Sequence, residues 1–317
     1  MNRTILAGII VALAAAQGTW VVYSQQAKPP GKLRIEKLKG DLYLITGEGG
    51  NVAVDVTNEG VVLVDDMFDR NHDDILAQVK SVTDKPLKYV INTHQHDDHA
   101  GGDMKMLPIA EVIAHKNVRA NLEHIKQPYY EDTPGTPIGL PRITFTDETS
   151  VYLGGKEVRA KYFGRGHTSG DAIIYFPDAK VIHTGDLFLT LGRRPAGASP
   201  STPVKFPGLY VDYAQGGSFF EWTKSIDGAL ALDFDTVIPG HGPVATKADL
   251  IQFRADFESV RNRLVALVKQ GKTKDDIVGV MEADYGWRAK GCPLTPPTPG
   301  CLQFQQSAAF YAELSHH

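Results

Sequence analysis

The chain has 317 residues, 42% of them hydrophobic and 22% charged, which is enough to close a core without staples and is ordinary for a soluble protein. Its formal net charge is -4 and no long basic run appears, which excludes a nucleic-acid binder relying on clustered Lys and Arg.

The first 27 residues differ in kind from the rest. Arg3 precedes an uncharged apolar run from Ile5 to Ala16, and Ala14-Ala15-Ala16 offers a small-residue cleavage site. That is the layout of a secretory signal. Apolarity continues through Trp20, Val21 and Val22, so residues 1–27 read as a signal peptide or as an uncleaved N-terminal anchor. Both readings predict an exported protein, periplasmic or secreted, touching a membrane only through this segment. Residues 28–317 remain for the folded domain.

After a short linker come four runs rich in β-branched residues: Leu33–Leu38, Leu42–Thr46, Val52–Val56 and Val61–Val64. Gly40-Asp41, Gly49-Gly50-Asn51 and Asn58-Glu59-Gly60 separate them, the punctuation of a β-meander. Ile75, Leu76 and Val79 share one face of a helix over Asn71–Val82. Strands are predicted at Lys88–Asn92 and Val112–Ala114, then a helix at His115–Ile125. The proline-rich Gln127–Arg142 is a loop. Five more strands follow, at Ile143–Phe145, Val151–Leu153, Val158–Phe163, Ala172–Phe176 and Lys180–His183. Leu191–Gln215 is a second long irregular segment. Ser218–Leu232 is a helix, Thr236–Ile238 a strand and Ala248–Lys269 a longer helix. Lys274–Glu282 and Gln303–Leu314 continue a helical C-terminal extension that starts at about 247. Strand-rich blocks in each half, separated by helices, predict an α+β fold built as a four-layer αββα sandwich. The alternation is too irregular for a barrel of eight βα units. Cys292 and Cys301 bracket a proline-rich loop, where an exported chain permits a disulfide worth about 2–3 kcal/mol, with two free thiols as the alternative.

The stretch Thr93-His94-Gln95-His96-Asp97-Asp98-His99-Ala100-Gly101-Gly102 carries the chemistry. On a helix His94 and His96 would diverge by about 200°, whereas at the extended end of a strand they point the same way. Three imidazoles and a carboxylate this close are costly to bury without something to bind. Further donors lie where other strands finish, each beside glycine: His167 in Gly166-His167-Thr168-Ser169-Gly170, Asp186 in Thr184-Gly185-Asp186, and His241 in Pro239-Gly240-His241-Gly242. Strand-end loops on a rigid scaffold are where functional side chains collect.

The set HxHxDH, GHTxGD, TGD and PGHG, in this order from Leu33 to Gly242, resembles the metallo-β-lactamase superfamily. The resemblance implies the αββα sandwich with its metals at one edge between the sheets. It implies that His94, His96 and His167 bind a first metal and Asp98, His99 and His241 a second. Asp186 and a water or hydroxide would bridge the two. Asp186 stands where the Cys-containing lactamases carry Cys, which points towards the glyoxalase II-like and lactonase-like branches. The implied activity is a binuclear metal-dependent hydrolase of a small molecule, in which the bridging hydroxide attacks an ester, thioester, lactone or β-lactam carbonyl. A β-lactamase proper, an iron-dependent oxidoreductase of the persulfide dioxygenase type and a phosphodiesterase are the alternatives. Two zinc ions are the expected cofactor, and a carboxylate bridge also suits iron or manganese. Asp98, a ligand with a second oxygen, is the expected catalytic residue that orients the nucleophile.

Metal-bound histidines usually give their other N–H to a carboxylate or carbonyl, and Asp65 and Asp171 are candidates for that role. Arg193-Arg194, in the loop after Asp186, is a candidate contact for an anionic substrate. His72, His115 and His124 fall on predicted helices and read as surface residues, and His183 reads as core. Tyr210, Tyr213 and Trp222 read as packing residues.

Overall fold

The computed structural model describes residues 33–125, 137–190, 210–285 and 307–317. Seven strands form the first sheet in chain order: β1 (Arg34–Lys39), β2 (Leu42–Thr46), β3 (Val52–Val56), β4 (Val61–Val64), β5 (Leu87–Ile91), β6 (Glu111–His115) and β7 (Ile143–Phe145). Pairing is antiparallel from β1 to β4 and parallel from β4 to β7. Six strands form the second sheet: β8 (Glu148–Leu153), β9 (Lys156–Tyr162), β10 (Ala172–Phe176), β11 (Val181–His183), β12 (Thr236–Ile238) and β13 (Ala245–Thr246). Only β11 and β12 run parallel in it.

Period-two alternation sorts the side chains into layers. Val62 and Val64 of β4 face Ala172, Ile174 and Phe176 of β10 in the core between the sheets. Their neighbours Val61 and Leu63 point outward, against Ile75 and Val79 of α1 (His72–Val82). Both faces of β4 are therefore covered, which is why it reads as an unbroken apolar run.

Five more helices border the first sheet or the helical layer outside the second: α2 (Asp97–Ala100), α3 (Asp103–Met106), α4 (Lys116–His124), α5 (Trp222–Leu230) and α6 (Lys247–Lys269). In α6, Leu250, Phe253, Phe257, Val260 and Leu264 recur at the three- and four-residue spacing of one helical face and are all buried. A capping box starts it: Thr246 Oγ1 accepts from Asp249 N, and the Asp249 carboxylate accepts from Thr246 N at 3.0 Å. Two further helices, α7 (Lys274–Tyr285) and α8 (Ser307–Ser315), add Ile277, Met281, Phe310 and Leu314 to the same core. The molecule is thus an αββα sandwich.

Several expectations change. The strand ending at Ala114 runs one residue further, so His115 closes β6 instead of opening a helix. It is buried, stacks on Tyr162 with ring centroids 3.9 Å apart, and caps α4 by accepting from Asn117 N. His115 is not a surface residue, because the tertiary partner Tyr162 comes from the other sheet. His72 also keeps only 14% of its side chain exposed, while His124 is exposed and His183 is fully buried. The leader, Arg193-Arg194, and Cys292 with Cys301 lie outside the described residues.

Candidate metal centre

One edge of the sandwich gathers the strand ends. Asp65 follows β4; His94 and His96 follow β5; Asp98 and His99 sit in the single turn of α2. His167 comes from the β9–β10 connection, Asp186 from the short turn after β11, and His241 from the loop after β12. The structure brings all seven expected ligand residues together. Three groups have ligand atoms within 4.8 Å of one another: His94, His96 and His167; His94, His99 and Asp186; and Asp98, His99 and His241.

The atoms facing inward follow from the bonds made outward. His99 Nδ1–H donates to Asp65 Oδ2 at 2.7 Å. The Thr93 hydroxyl also donates to Asp65, at 2.8 Å, so its lone pair accepts from His94 Nδ1–H at 3.0 Å. His167 Nδ1–H donates to the Tyr210 carbonyl at 2.6 Å, and His96 Nε2–H to Asp212 Oδ2 at 3.0 Å. These bonds set the tautomers. The lone pairs left over are on His94 Nε2, His96 Nδ1, His167 Nε2 and His99 Nε2, and they converge. His167 Nε2 lies 2.8 Å from His96 Nδ1, and His99 Nε2 lies 3.2 Å from His241 Nε2. His94 Nε2 is buried without a hydrogen-bond partner. A buried acceptor of that kind is costly unless a cation or donor meets it.

Asp186 lies between the two triads. Its Oδ1 is 3.1 Å from His99 Nε2 and 3.5 Å from His241 Nε2, and its Oδ2 is 3.6 Å from His167 Nε2. Asp98 Oδ2 is 3.1 Å from His241 Nε2. Burial resists charge on Asp98, but His99 and His241 hold its carboxyl down at about 2. Burial, with His96 nearby, pushes His167 down to about 4, so its ring is neutral and ready to ligate near pH 7. Burial opposes a proton on His99, yet Asp186, Asp98 and Asp65 together raise it well above the usual imidazole range. A cation facing Asp98 and Asp186 would take over the role of that proton. The orphaned nitrogen, the converging lone pairs and the all-N/O donor set fit metal ions of the zinc type, and iron or manganese equally.

Two glycines make room for this centre. A Cβ on Gly240 would sit 2.0 Å from Asp186 Oδ1, and one on Gly50 would sit 2.2 Å from the His99 ring. Asn51 braces the His241 loop by donating to the carbonyls of Pro239 at 2.8 Å and Gly242 at 2.9 Å. Asp65 itself adopts φ of +63°, rare for a non-glycine, and three hydrogen bonds over-determine it.

Asp171 takes a different place from the one expected. Its carboxylate accepts from Thr168 N and Thr168 Oγ1, so it pins the loop that presents His167 and meets no metal-facing ring directly. The carboxylate on His96 is Asp212, which sequence reasoning missed, as it missed the orienting carbonyl of Tyr210. Asp212 also accepts from Gln215 N in a local turn, and that ordinary capping pattern hid its distant partner. Trp222 is a packing residue, buried with its indole N–H on the Leu187 carbonyl.

An αββα sandwich with His and Asp donors converging at one sheet edge defines a metal-binding hydrolase scaffold. Residues 41–241 match the metallo-beta-lactamase superfamily. The chain belongs to that superfamily and is a metallo-hydrolase. It is 27% identical over 198 residues to the metallo-beta-lactamase type 2 of Bacillus cereus, covering 62% of this chain and 68% of the relative. It is 24% identical over 189 residues to the metallo-beta-lactamase IND-1 of Chryseobacterium indologenes, covering 59% and 69%. Among solved structures, a metallo-beta-lactamase from Pontibacter korlensis superposes with a TM-score of 0.58 at 20% identity, over 71% of this chain and 99% of that one. The DIM-1 metallo-beta-lactamase gives 0.55 at 22%, over 73% and 99%. At these identities the structural likeness shows the shared fold.

Proposed function

We propose that this centre holds two zinc ions and hydrolyses a small molecule with an activated carbonyl: an ester, thioester, lactone or lactam. The observation that carries the proposal is Asp186, whose two oxygens face different triads, as a bridging carboxylate requires. His94, His96 and His167 would hold one ion, Asp98, His99 and His241 the other, and Asp186 both. When bound, such a pair supplies Lewis acidity to the carbonyl and an acidified water as nucleophile.

The chain's own residues do the rest. Asp65, Thr93, Tyr210 and Asp212 lock four imidazole rings in place, so no reorganisation is needed when charge develops. Asp98 turns one carboxylate oxygen towards His241, and its second oxygen would accept a hydrogen bond from the attacking water and orient it. The Tyr210 ring stands 5.8 Å from the His96 ring and 5.6 Å from the His167 ring by centroid, beside the first triad.

Metal quantification together with a hydrolysis screen over esters, thioesters, lactones, lactams and phosphodiesters tests this reading. Two zinc ions per chain and turnover of a carbonyl substrate, abolished by a chelator, is the expected result. A single iron per chain with no second metal would instead favour persulfide-type oxidation.

A second reading, β-lactamase proper, draws support from the names of the relatives. Nitrocefin turnover with and without chelator tests it, and no turnover at high enzyme removes it while leaving the esterases. The exported reading of residues 1–27 stands as a proposal on Arg3 and the Ile5–Ala16 run. Among the described residues, no helix is long and apolar enough to cross a membrane. Cell fractionation checks the proposal, and retention of the full-length chain in the cytoplasm would contradict it.

A further inference from the structure

The segment from Tyr210 to Glu221 holds two of the three first-triad rings, although it has little regular structure of its own. Before α5 begins at Trp222 its one helical element is the short 3-10 turn Tyr213–Gln215. From it, the Tyr210 carbonyl takes the His167 N–H and the Asp212 carboxylate takes the His96 N–H. Asp212 N donates back to the His167 carbonyl at 2.8 Å, and Ser218 N donates to the Gly166 carbonyl at 2.8 Å. Whatever fixes this segment fixes the orientation of His96 and His167.

What fixes it from behind is a side chain some 90 residues further on. Glu313, on α8, accepts four hydrogen bonds from the segment. They come from Tyr213 Oη at 2.5 Å, Ser218 Oγ at 2.6 Å, Phe219 N at 3.0 Å and Phe220 N at 3.3 Å. Bonds to an ionised acceptor are roughly twice as strong as neutral ones. The helix that carries Glu313 is itself anchored. Phe310 and Leu314 are buried in the core outside the second sheet, and Phe310 packs on Phe219 with ring centroids 4.9 Å apart. Helix α8 lies beyond the 41–241 region shared with the superfamily.

We propose that Glu313 is a positioning residue for the metal centre: by tying Tyr213 and the 218–220 turn to α8, it holds Asp212 against His96. The proposal rests on the metal-binding reading above. It makes the C-terminal helix part of the machinery that sets the first triad, and the bonds of the segment run to His96 and His167 of that triad. Loss of Glu313 therefore acts unequally on the two halves of the centre.

The test uses the full chain, as parent, Glu313→Ala and Glu313→Gln. Two quantities are measured: stepwise zinc affinity by competition with a chromophoric chelator, and the His96 ring N–H signal in the zinc-loaded protein by nitrogen-resolved NMR. In Glu313→Ala one zinc step is expected to weaken by roughly tenfold, at the lower end of what losing an outer partner does, while the other step stays as in the parent. The His96 ring signal shifts or exchanges with water. Glu313→Gln, which keeps an acceptor oxygen, falls between. If Glu313→Ala lowers only the melting temperature, with both zinc steps and the His96 signal as in the parent, α8 is a structural plug and the proposal is wrong. Should Glu313→Ala fail to fold, Ser218→Ala and Tyr213→Phe each remove one donor. They are expected to weaken the same zinc step by less, and parental affinity in both overturns the proposal. A parent that takes up no zinc sinks the metal reading and this role together, an outcome distinct from a variant that behaves as the parent does.

Discussion

Replacing Asp65 by Asn probes how the sequence-distant outer partner sets a ligand. Asp65 accepts from Thr93 N at 2.7 Å, from Thr93 Oγ1 at 2.8 Å and from His99 Nδ1 at 2.7 Å, and it is fully buried. An asparagine keeps one acceptor oxygen, enough for Thr93 N. Its amide would then face the His99 N–H, donor against donor. The ring would have to move its proton to Nε2, the atom that faces the second triad's metal position. The backbone adds no cost, because asparagine tolerates the left-handed φ of +63° found here. The same oxygen also accepts from the Thr93 hydroxyl, but the loss that bears on His99 is one hydrogen bond to a charged acceptor, about 1.5–3 kcal/mol. At about 1.4 kcal/mol per tenfold, that is roughly 10–150-fold in affinity for the metal held by His99. Zinc competition against a chromophoric chelator reads each step separately, and thermal melting of the metal-free protein guards against general unfolding. Weakening of one step, with hydrolysis partly restored at high zinc, is the expected result. Unchanged affinity at both steps would falsify the claim that Asp65 fixes the His99 tautomer.

Other perturbations test other links. Gly240→Ala puts a methyl 2.0 Å from Asp186 Oδ1 and is expected to lower metal content and activity by more than about tenfold while circular dichroism stays parental; an active, fully metallated variant contradicts this. Asp186→Ala removes the only carboxylate between the triads of the described site, so metal analysis should find one ion or fewer per chain in place of two. His115 titrates in the unfolded chain near 6.5, but burial pushes the folded ring down to about 4. Its contribution is whole above pH 6.5 and lost by up to about 3 kcal/mol as pH falls to 4, because only the unfolded chain takes the proton in that window. Urea unfolding at pH 7 and pH 4 should show the parent losing more stability than His115→Gln. Phe257→Ala, fully buried against Phe219 and Trp222, should cost about 3–5 kcal/mol and lower the melting temperature without changing metal affinity.

Local signals made much of this protein legible without coordinates. The β-branched runs of β2 to β4 announced themselves because both their faces are buried, and the face of α6 because Phe253, Phe257, Val260 and Leu264 recur at helical spacing. The donors His94, His96, Asp98 and His99 lie within six residues, so their chemistry was visible in one window. Tertiary structure alone decided the rest. Asp212 reaches His96 across 116 residues and looks locally like the cap of a turn. His115 looked like the start of a surface helix until Tyr162 arrived from the other sheet to stack on it. Asp171 had the right neighbours in sequence, yet its carboxylate is taken up by Thr168 three residues away. Ligand identity is a property of residue type and local spacing, and both are written along the chain. The atom that His96, His99 and His167 turn inward is set by a hydrogen bond to a distant segment, and that exists only once the two sheets and the segments around them have closed around the site.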